Sequence, residues 1–318
     1  MIQAIILLIL GLGLLIGGAE ALVRGSASLA RRWGITPLVI GLTVVAFGTS
    51  APEMIVNLFS AIRGSGDIAL GNILGSNTAN ILLILGIAAF LRPMMVKHST
   101  TWKEIPFAFL AVVLLLVLGN DIFFDGFSRN YISRTDGLVL IAIFAIFIYY
   151  SLSTARVQGD PGEKITVYHK SNSLILVITG LIGLFIGGKL LVDNAVILAT
   201  LAGISESLIG LTIIAVGTSL PELATSVIAV LRGHNDIAIG NVVGSNIFNV
   251  FWVLGGTAII APLSYNSVIN IDVIVAIAAT ILLFIAIFVG KKHVLARGEG
   301  IAFILLYLIY IGYLIARG

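Results

Sequence analysis

Glu53 closes the stretch GLTVVAFGTSAPE (41–53), and Glu222 closes GLTIIAVGTSLPE (210–222). Both stretches are apolar enough to lie in a bilayer, where a central charge costs at least about 2.5 kcal/mol even on a lenient insertion scale. No basic residue accompanies either carboxylate. Arg63 and Arg232 follow only at the loop ends. The partner is most simply a cation from outside the protein, the alternative being a protonated acid hydrogen-bonded to a neighbouring helix. The surrounding residues suit a hard cation. Thr49 and Thr218 lie four residues before the glutamates, on the same helical face. Pro52 and Pro221 lack an amide hydrogen and clash with the carbonyls of Gly48 and Gly217, so each helix must kink and release a carbonyl. In lipid such a carbonyl needs a new partner, and an ion is one.

The next apolar stretch in each half adds neutral oxygens. Asn72, Ser76 and Asn80 share one helical face, as do Asn241, Ser245 and Asn249. Beside them run Gly71, Gly75 and Ala79, and Gly240 and Gly244, small residues spaced for close helix packing. Two carboxylates ringed by neutral oxygens fit Ca2+, which takes about 6 to 8 oxygens in flexible geometry, better than Mg2+ with its tight octahedron. Two Na+ ions would balance the same charge.

The elements that position these residues are membrane helices. Hydrophobic residues make up 59% of the 318 positions and charged residues 10%, against roughly 25% charged in a soluble domain. Spans are expected at about 3 to 23, 36 to 62, 68 to 91, 105 to 119, 137 to 152, 173 to 192, 205 to 231, 235 to 262, 268 to 290 and 300 to 316. The first lacks a basic leader and a small-residue cleavage site and reads as a retained helix. The polar stretch near 153–171, with Gly159, Pro161 and Gly162, reads as a linker. With no cysteine in the chain, disulfides and thiolate metal sites are excluded.

The chain repeats itself at an offset of 169 residues, the separation of Glu53 from Glu222. RGSGDIALGNILGSNTANI (63–81) returns as RGHNDIAIGNVVGSNIFNV (232–250), and GLLIGGAEALV (13–23) has an echo in GLFIGGKLLVD (183–193). Five spans per half invert the second copy in the membrane. The expected fold is therefore an all-α integral membrane protein of ten transmembrane helices in two inverted five-helix repeats, 1–152 and 173–318, joined by a linker over 153–172. Inverted repeats are a transporter architecture, with the substrate site near the midplane where matching broken helices meet. Thirteen of the eighteen Lys and Arg residues fall on the side of the linker, which places it in the cytoplasm and both termini outside.

The paired GTSAPE and GTSLPE, each followed by a GN(I/V)(L/V)GSN helix, resemble the alpha repeats of the calcium/cation antiporter superfamily, and within it prokaryotic Na+/Ca2+ exchangers. The resemblance implies a core of spans 2, 3, 7 and 8, with spans 1 and 6 sliding across it to alternate access; the glycines of spans 1 and 6 fit low-friction packing. It also implies one calcium site flanked by sodium sites. Calcium would be held by Glu53 and Glu222 with the carbonyls of Thr49 and Thr218. Sodium would use Ser50, Ser76 and the Ala46 carbonyl on one side, and Ser219, Ser245 and the Ala215 carbonyl on the other, sharing the glutamates. Asn80 and Asn249 would sit centrally. Some relatives carry Asp where Asn249 stands, so this site lacks a third carboxylate.

Other classes fit less well. An intramembrane hydrolase needs a nucleophile and a base, but His98, His169, His234 and His293 all fall in or beside loops, and GTSAP is not a nucleophile elbow. The expected function is exchange of Na+ for Ca2+, electrogenic and K+-independent. The alternatives are H+ or another divalent metal as the coupled ion, and a cation channel. Ca2+ and Na+ are expected as substrates and the lipid bilayer as surroundings, with no resident cofactor, nucleic acid or protein partner.

Overall fold

The computed structural model describes residues 1–124, 126–153, 166–202, 215–289 and 293–317, with the side chain of Ala215 excepted. The described residues are helical apart from short connections and four two-residue strands. In chain order the main helices are α1 (Ile2–Trp33), a bent α2 (Pro37–Thr49 and Ala51–Ile62), α3 (Gly66–Leu91), α4 (Thr100–Leu118) and α5 (Arg134–Ser153). There follow α6 (Lys170–Leu201), α7 (Ala215–Gly217 and Leu220–Leu231), α8 (Asn235–Ile260), α9 (Ser267–Ala286) and α10 (Arg297–Arg317). Eight of these helices are each long and apolar enough to cross a bilayer, and α2 makes nine if its two halves are one span. Much of the span expected at 205–231 lies outside the described residues, and the described helix Leu220–Leu231 is short.

α1 and α6 outrun their expected bounds. Each has 32 residues, about 48 Å at 1.5 Å per residue, well beyond a hydrocarbon core of about 30 Å. Such helices cross with tilt or extend into the headgroups. α6 also begins inside the stretch expected as linker, at Lys170.

These two helices pack antiparallel along their length through small residues seven apart, Gly11, Gly18 and Gly25 on α1 against Ser173, Gly180 and Gly187 on α6. A Cβ at Gly18 would lie 2.7 Å from the Leu184 amide, one at Gly180 2.6 Å from that of Leu22, and one at Gly25 2.8 Å from the Ser173 carbonyl. Backbones this close leave no room for any side chain. The glycines thus seat α1 and α6 on each other, whereas the sequence reading gave them to sliding over the core. Gly13 and Gly17 meet no described atom within 4 Å. Near the Gly25 end, the Ser28 and Ser173 hydroxyls bond at 2.7 Å.

α3 and α8 form the centre, buried along most of their length, while α1, α5, α6 and α10 turn most of their residues outward. Gly240 and Gly244 press against Leu38, Leu42 and Ala46 of α2, as their spacing predicts. Gly71 and Gly75 meet no described atom within 4 Å; the segment equivalent to 38–45, residues 207–214, lies outside the described residues. Both central helices widen into π-helical turns, Ala79–Ile84 and Phe248–Leu254, which contain Asn80 and Asn249. Such turns are frequent at functional sites.

The connections tie the halves together. β1 (Met94–Met95) pairs antiparallel with β4 (Val294–Leu295), and β2 (Tyr131–Ile132) with β3 (Leu263–Ser264). Next to β3 the Asn120 and Asn270 amides bond reciprocally at 3.0 and 2.8 Å, and Tyr265 donates to Asn270 Oδ1 at 2.5 Å. Burial pushes the Tyr265 phenol up to about 12, so it stays a donor throughout the physiological range.

Candidate cation site

Glu53 and Glu222 each stand just past a break in a membrane helix. The two halves of α2 meet at 45°, with Ser50 at φ −81°, ψ 7° between them. Ser219 occupies the same place in α7 at φ −85°, ψ 5°. The prolines explain where the breaks fall. Pro52 and Pro221 sit in the first turn of the helices that resume there, positions where a missing amide hydrogen costs nothing. The glutamates also lie in those first turns, near the positive end of the helix dipole, which favours a carboxylate.

Both glutamates are completely buried. Among the described residues no Lys, Arg or His forms an ion pair with either. Their charge is met by hydroxyls in a pattern that repeats at the 169-residue offset. Glu53 Oε1 accepts from Ser76 at 3.2 Å and from Ser219 at 3.5 Å. Glu222 Oε1 accepts from Ser245 at 3.3 Å and from Ser50 at 3.2 Å. Each carboxylate therefore receives one serine from the helix after it and one from the break in the other half. The grouping expected from the sequence, Ser50 with Ser76 and Ser219 with Ser245, concerns sodium ligands that share the glutamates; the hydrogen bonds themselves cross between the halves. The breaks face each other across the centre, so each serine at a break reaches the opposite glutamate.

The threonines and asparagines brace the breaks from behind. Thr49 donates to Asn241 Oδ1 at 3.0 Å and Thr218 to Asn72 Oδ1 at 3.3 Å, again across the halves. Asn72 in turn donates to Asn57 Oδ1 at 2.7 Å, and Asn241 to Ser226 Oγ at 3.0 Å. The Ala46 carbonyl accepts the Ser50 amide at 3.0 Å and the Thr49 hydroxyl at 3.3 Å. Ala215 is the first described residue of α7, in its helical stretch Ala215–Gly217. Asn80 and Asn249 are fully buried and donate to Asn246 and Asn77 at 2.9 and 3.0 Å.

Around the two glutamates, the buried oxygens Glu53 Oε2, Glu222 Oε2, Asn80 Oδ1 and Asn249 Oδ1 have no hydrogen-bond donor among the described residues. Leaving a buried carboxylate oxygen unmatched is costly, and a cation is the ligand that oxygen atoms alone can satisfy. Two carboxylates and two amide oxygens, with serine hydroxyls nearby, make a hard-cation donor set. Asn57, Ser226, Asn77 and Asn246 were not singled out from sequence. The stripe at every fourth residue passed over Asn77 and Asn246, though the doubled GSN contains them.

The sequence profile of the sodium/calcium exchanger protein family matches residues 3–153 and 172–316. This chain belongs to that family. Among similar proteins, the inner membrane protein YrbG of Escherichia coli (strain K12) is 38% identical, over 89% of each chain. The sodium/calcium exchanger MaX1 of Methanosarcina acetivorans is 29% identical over 96% of this chain and 97% of its own. A solved structure of the sodium-calcium exchanger NCX_Mj, soaked with 2.5 mM Na+ and 0.1 mM Ca2+, superposes with a TM-score of 0.84 at 33% identity, covering 98% of both chains. The family is one of exchangers, and membership makes the chain a cation antiporter. The two matched stretches flank the polar segment near 153–171, and each contains one of the two glutamates of the site, Glu53 in the first and Glu222 in the second.

Proposed function

We propose that this exchanger moves Ca2+ against Na+ by alternating access, using Glu53 and Glu222 as the one pair of charges shared by both ions. The observation that carries the reading is the crossed pattern at the carboxylates, where each binds hydroxyls from both halves and keeps one oxygen unmatched. Calcium would lie between Glu53 and Glu222 with the Thr49 and Thr218 carbonyls. Sodium would use the serines around each carboxylate, Ser50 and Ser245 at Glu222 and Ser219 and Ser76 at Glu53, a pairing that the crossed hydrogen bonds support. Asn80 and Asn249 supply neutral oxygens at the centre, so two negative charges serve every ion, and no third carboxylate is there to admit K+. Exchange of three Na+ for one Ca2+, which the family resemblance suggests, carries net charge.

The same reading takes the fold as ten helices in two inverted repeats, 1–152 and 173–318. The strand pairs support it. β2 and β3 lie on one face of the membrane because they are hydrogen-bonded, so an even number of crossings must separate them. α5, α6 and α8 would supply three, and a crossing by the segment that contains α7 would complete the count. Between β1 and β4 the same count gives six. The excess of Lys and Arg on the β1–β4 side puts that face and the 153–172 linker in the cytoplasm of a cell-membrane protein, with both termini outside.

The test is radioactive calcium uptake into proteoliposomes with an outward Na+ gradient and without one, in choline medium with K+ added or omitted. Uptake that needs Na+ inside and ignores K+ is expected. Uptake without any counter-ion gradient would indicate a channel. Uptake driven only by a proton gradient, or strictly requiring K+, would contradict the assigned coupling.

A further inference from the structure

Four asparagine side chains meet where α3 crosses α8, and their hydrogen bonds can run in only one direction. Asn77 donates its amide to the Asn246 backbone carbonyl at 3.3 Å, and Asn246 donates to the Asn77 carbonyl at 3.2 Å. A backbone carbonyl only accepts, so both side chains must turn their NH2 groups toward the opposing backbone. Each Oδ1 is then left on the far side, where it takes a hydrogen from the next asparagine. Asn80 donates to Asn246 Oδ1 at 2.9 Å and Asn249 to Asn77 Oδ1 at 3.0 Å. With their NH2 groups held this way, Asn80 and Asn249 present Oδ1 as the unbonded end. All four residues are at most 2% exposed.

We propose that Asn77 and Asn246 are positioning residues that fix the polarity of Asn80 and Asn249, so that amide oxygens and not NH2 groups face the transported cation. The proposal rests on the reading of the Glu53–Glu222 site as the place where that cation binds. An asparagine amide is nearly symmetric in shape but opposite in charge at its two ends. Turned around, Asn80 or Asn249 would fill the same volume and direct two hydrogens at a cation. The hydrogen-bond chain prevents this because it is anchored on backbone carbonyls, whose role cannot reverse. Neither Asn77 nor Asn246 need touch the ion. The crossed wiring also makes each half set the polarity of the other, since Asn77 governs Asn249 and Asn246 governs Asn80.

Equilibrium binding of radioactive calcium to the purified full chain in detergent tests the idea, with each variant first checked for a single symmetric peak in size exclusion. Asn246→Leu keeps the approximate volume and removes the acceptor for Asn80, and calcium affinity should fall by roughly tenfold or more, as for other groups that orient a metal ligand. A merely structural role would also weaken binding, so the deciding arm is the Asn80→Asp background. A carboxylate has no wrong end, and adding Asn246→Leu to Asn80→Asp should cause no further loss. Asn77→Leu provides the second series, relieved by Asn249→Asp and not by Asn80→Asp. Equal losses from Asn246→Leu in both backgrounds, or relief by the wrong aspartate, would overturn the proposal. Glu53→Gln separates the two claims. If Glu53→Gln abolishes binding while Asn246→Leu binds like the unmodified chain, the polarity assignment alone is wrong. If Glu53→Gln binds normally, the site reading itself is wrong.

Discussion

Each buried glutamate offers one oxygen to two serines and keeps the other without a donor among the described residues. Glu53→Gln or Glu222→Gln removes half of the negative charge and gives the ion an amide end to meet. Either change should abolish calcium exchange while the protein remains folded and extractable, as uptake and size exclusion would together report. The serines allow a finer test. Ser50 and Ser245 share Glu222, so Ser50→Ala and Ser245→Ala should show a coupling energy of about 0.5 kcal/mol or more in a double-mutant cycle on sodium affinity. Ser50→Ala with Ser76→Ala, on different carboxylates, should come closer to additive. The opposite ranking would restore the grouping within each half. The glutamates, threonines and serines were legible in the sequence because the motif occurs twice and a lone charge in lipid demands a partner. Which serine meets which glutamate was not, because that depends on how two breaks distant in sequence face each other.

At the scale of elements, the α1–α6 pair depends on close backbone approach. Gly18→Ala would place a methyl group 2.7 Å from the Leu184 amide and 2.8 Å from the Gly180 carbonyl, an overpacking that costs about 1 to 3 kcal/mol. Gly17→Ala meets no described atom within 4 Å and should be neutral or slightly stabilising, since alanine is the better helix former by up to about 1 kcal/mol. Thermal unfolding in detergent should separate these adjacent substitutions clearly; equal midpoints would contradict the packing. The sequence displayed these glycines without telling which surface they serve, because a period of seven residues fits a partner helix as readily as a core. The kinks in α2 and α7 were legible for a firmer reason, since a proline acts on its own backbone whatever surrounds it. The π-helical turns of α3 and α8 leave no such mark, and their positions follow from packing.

For the whole molecule, the repeat at 169 residues is visible in the sequence, and the two strand pairings tie the segments that carry its first copy to those that carry its second. A cycle that carries one net charge responds to voltage by about 2.3 kcal/mol per 100 mV. Calcium uptake should therefore rise when valinomycin and a K+ gradient set a potential that favours the charge-carrying direction, and an end-point indifferent to that potential would mean electroneutral exchange. The central claim is narrower, that one pair of carboxylates holds both ions in turn. Equilibrium binding of radioactive calcium at rising Na+ tests it most directly. The account predicts that Na+ displaces calcium competitively, with a displacement curve steeper than a single ion would give, and that Glu222→Gln loses the displaceable calcium. Calcium that stays bound at saturating Na+, or displacement that survives Glu222→Gln, would contradict it.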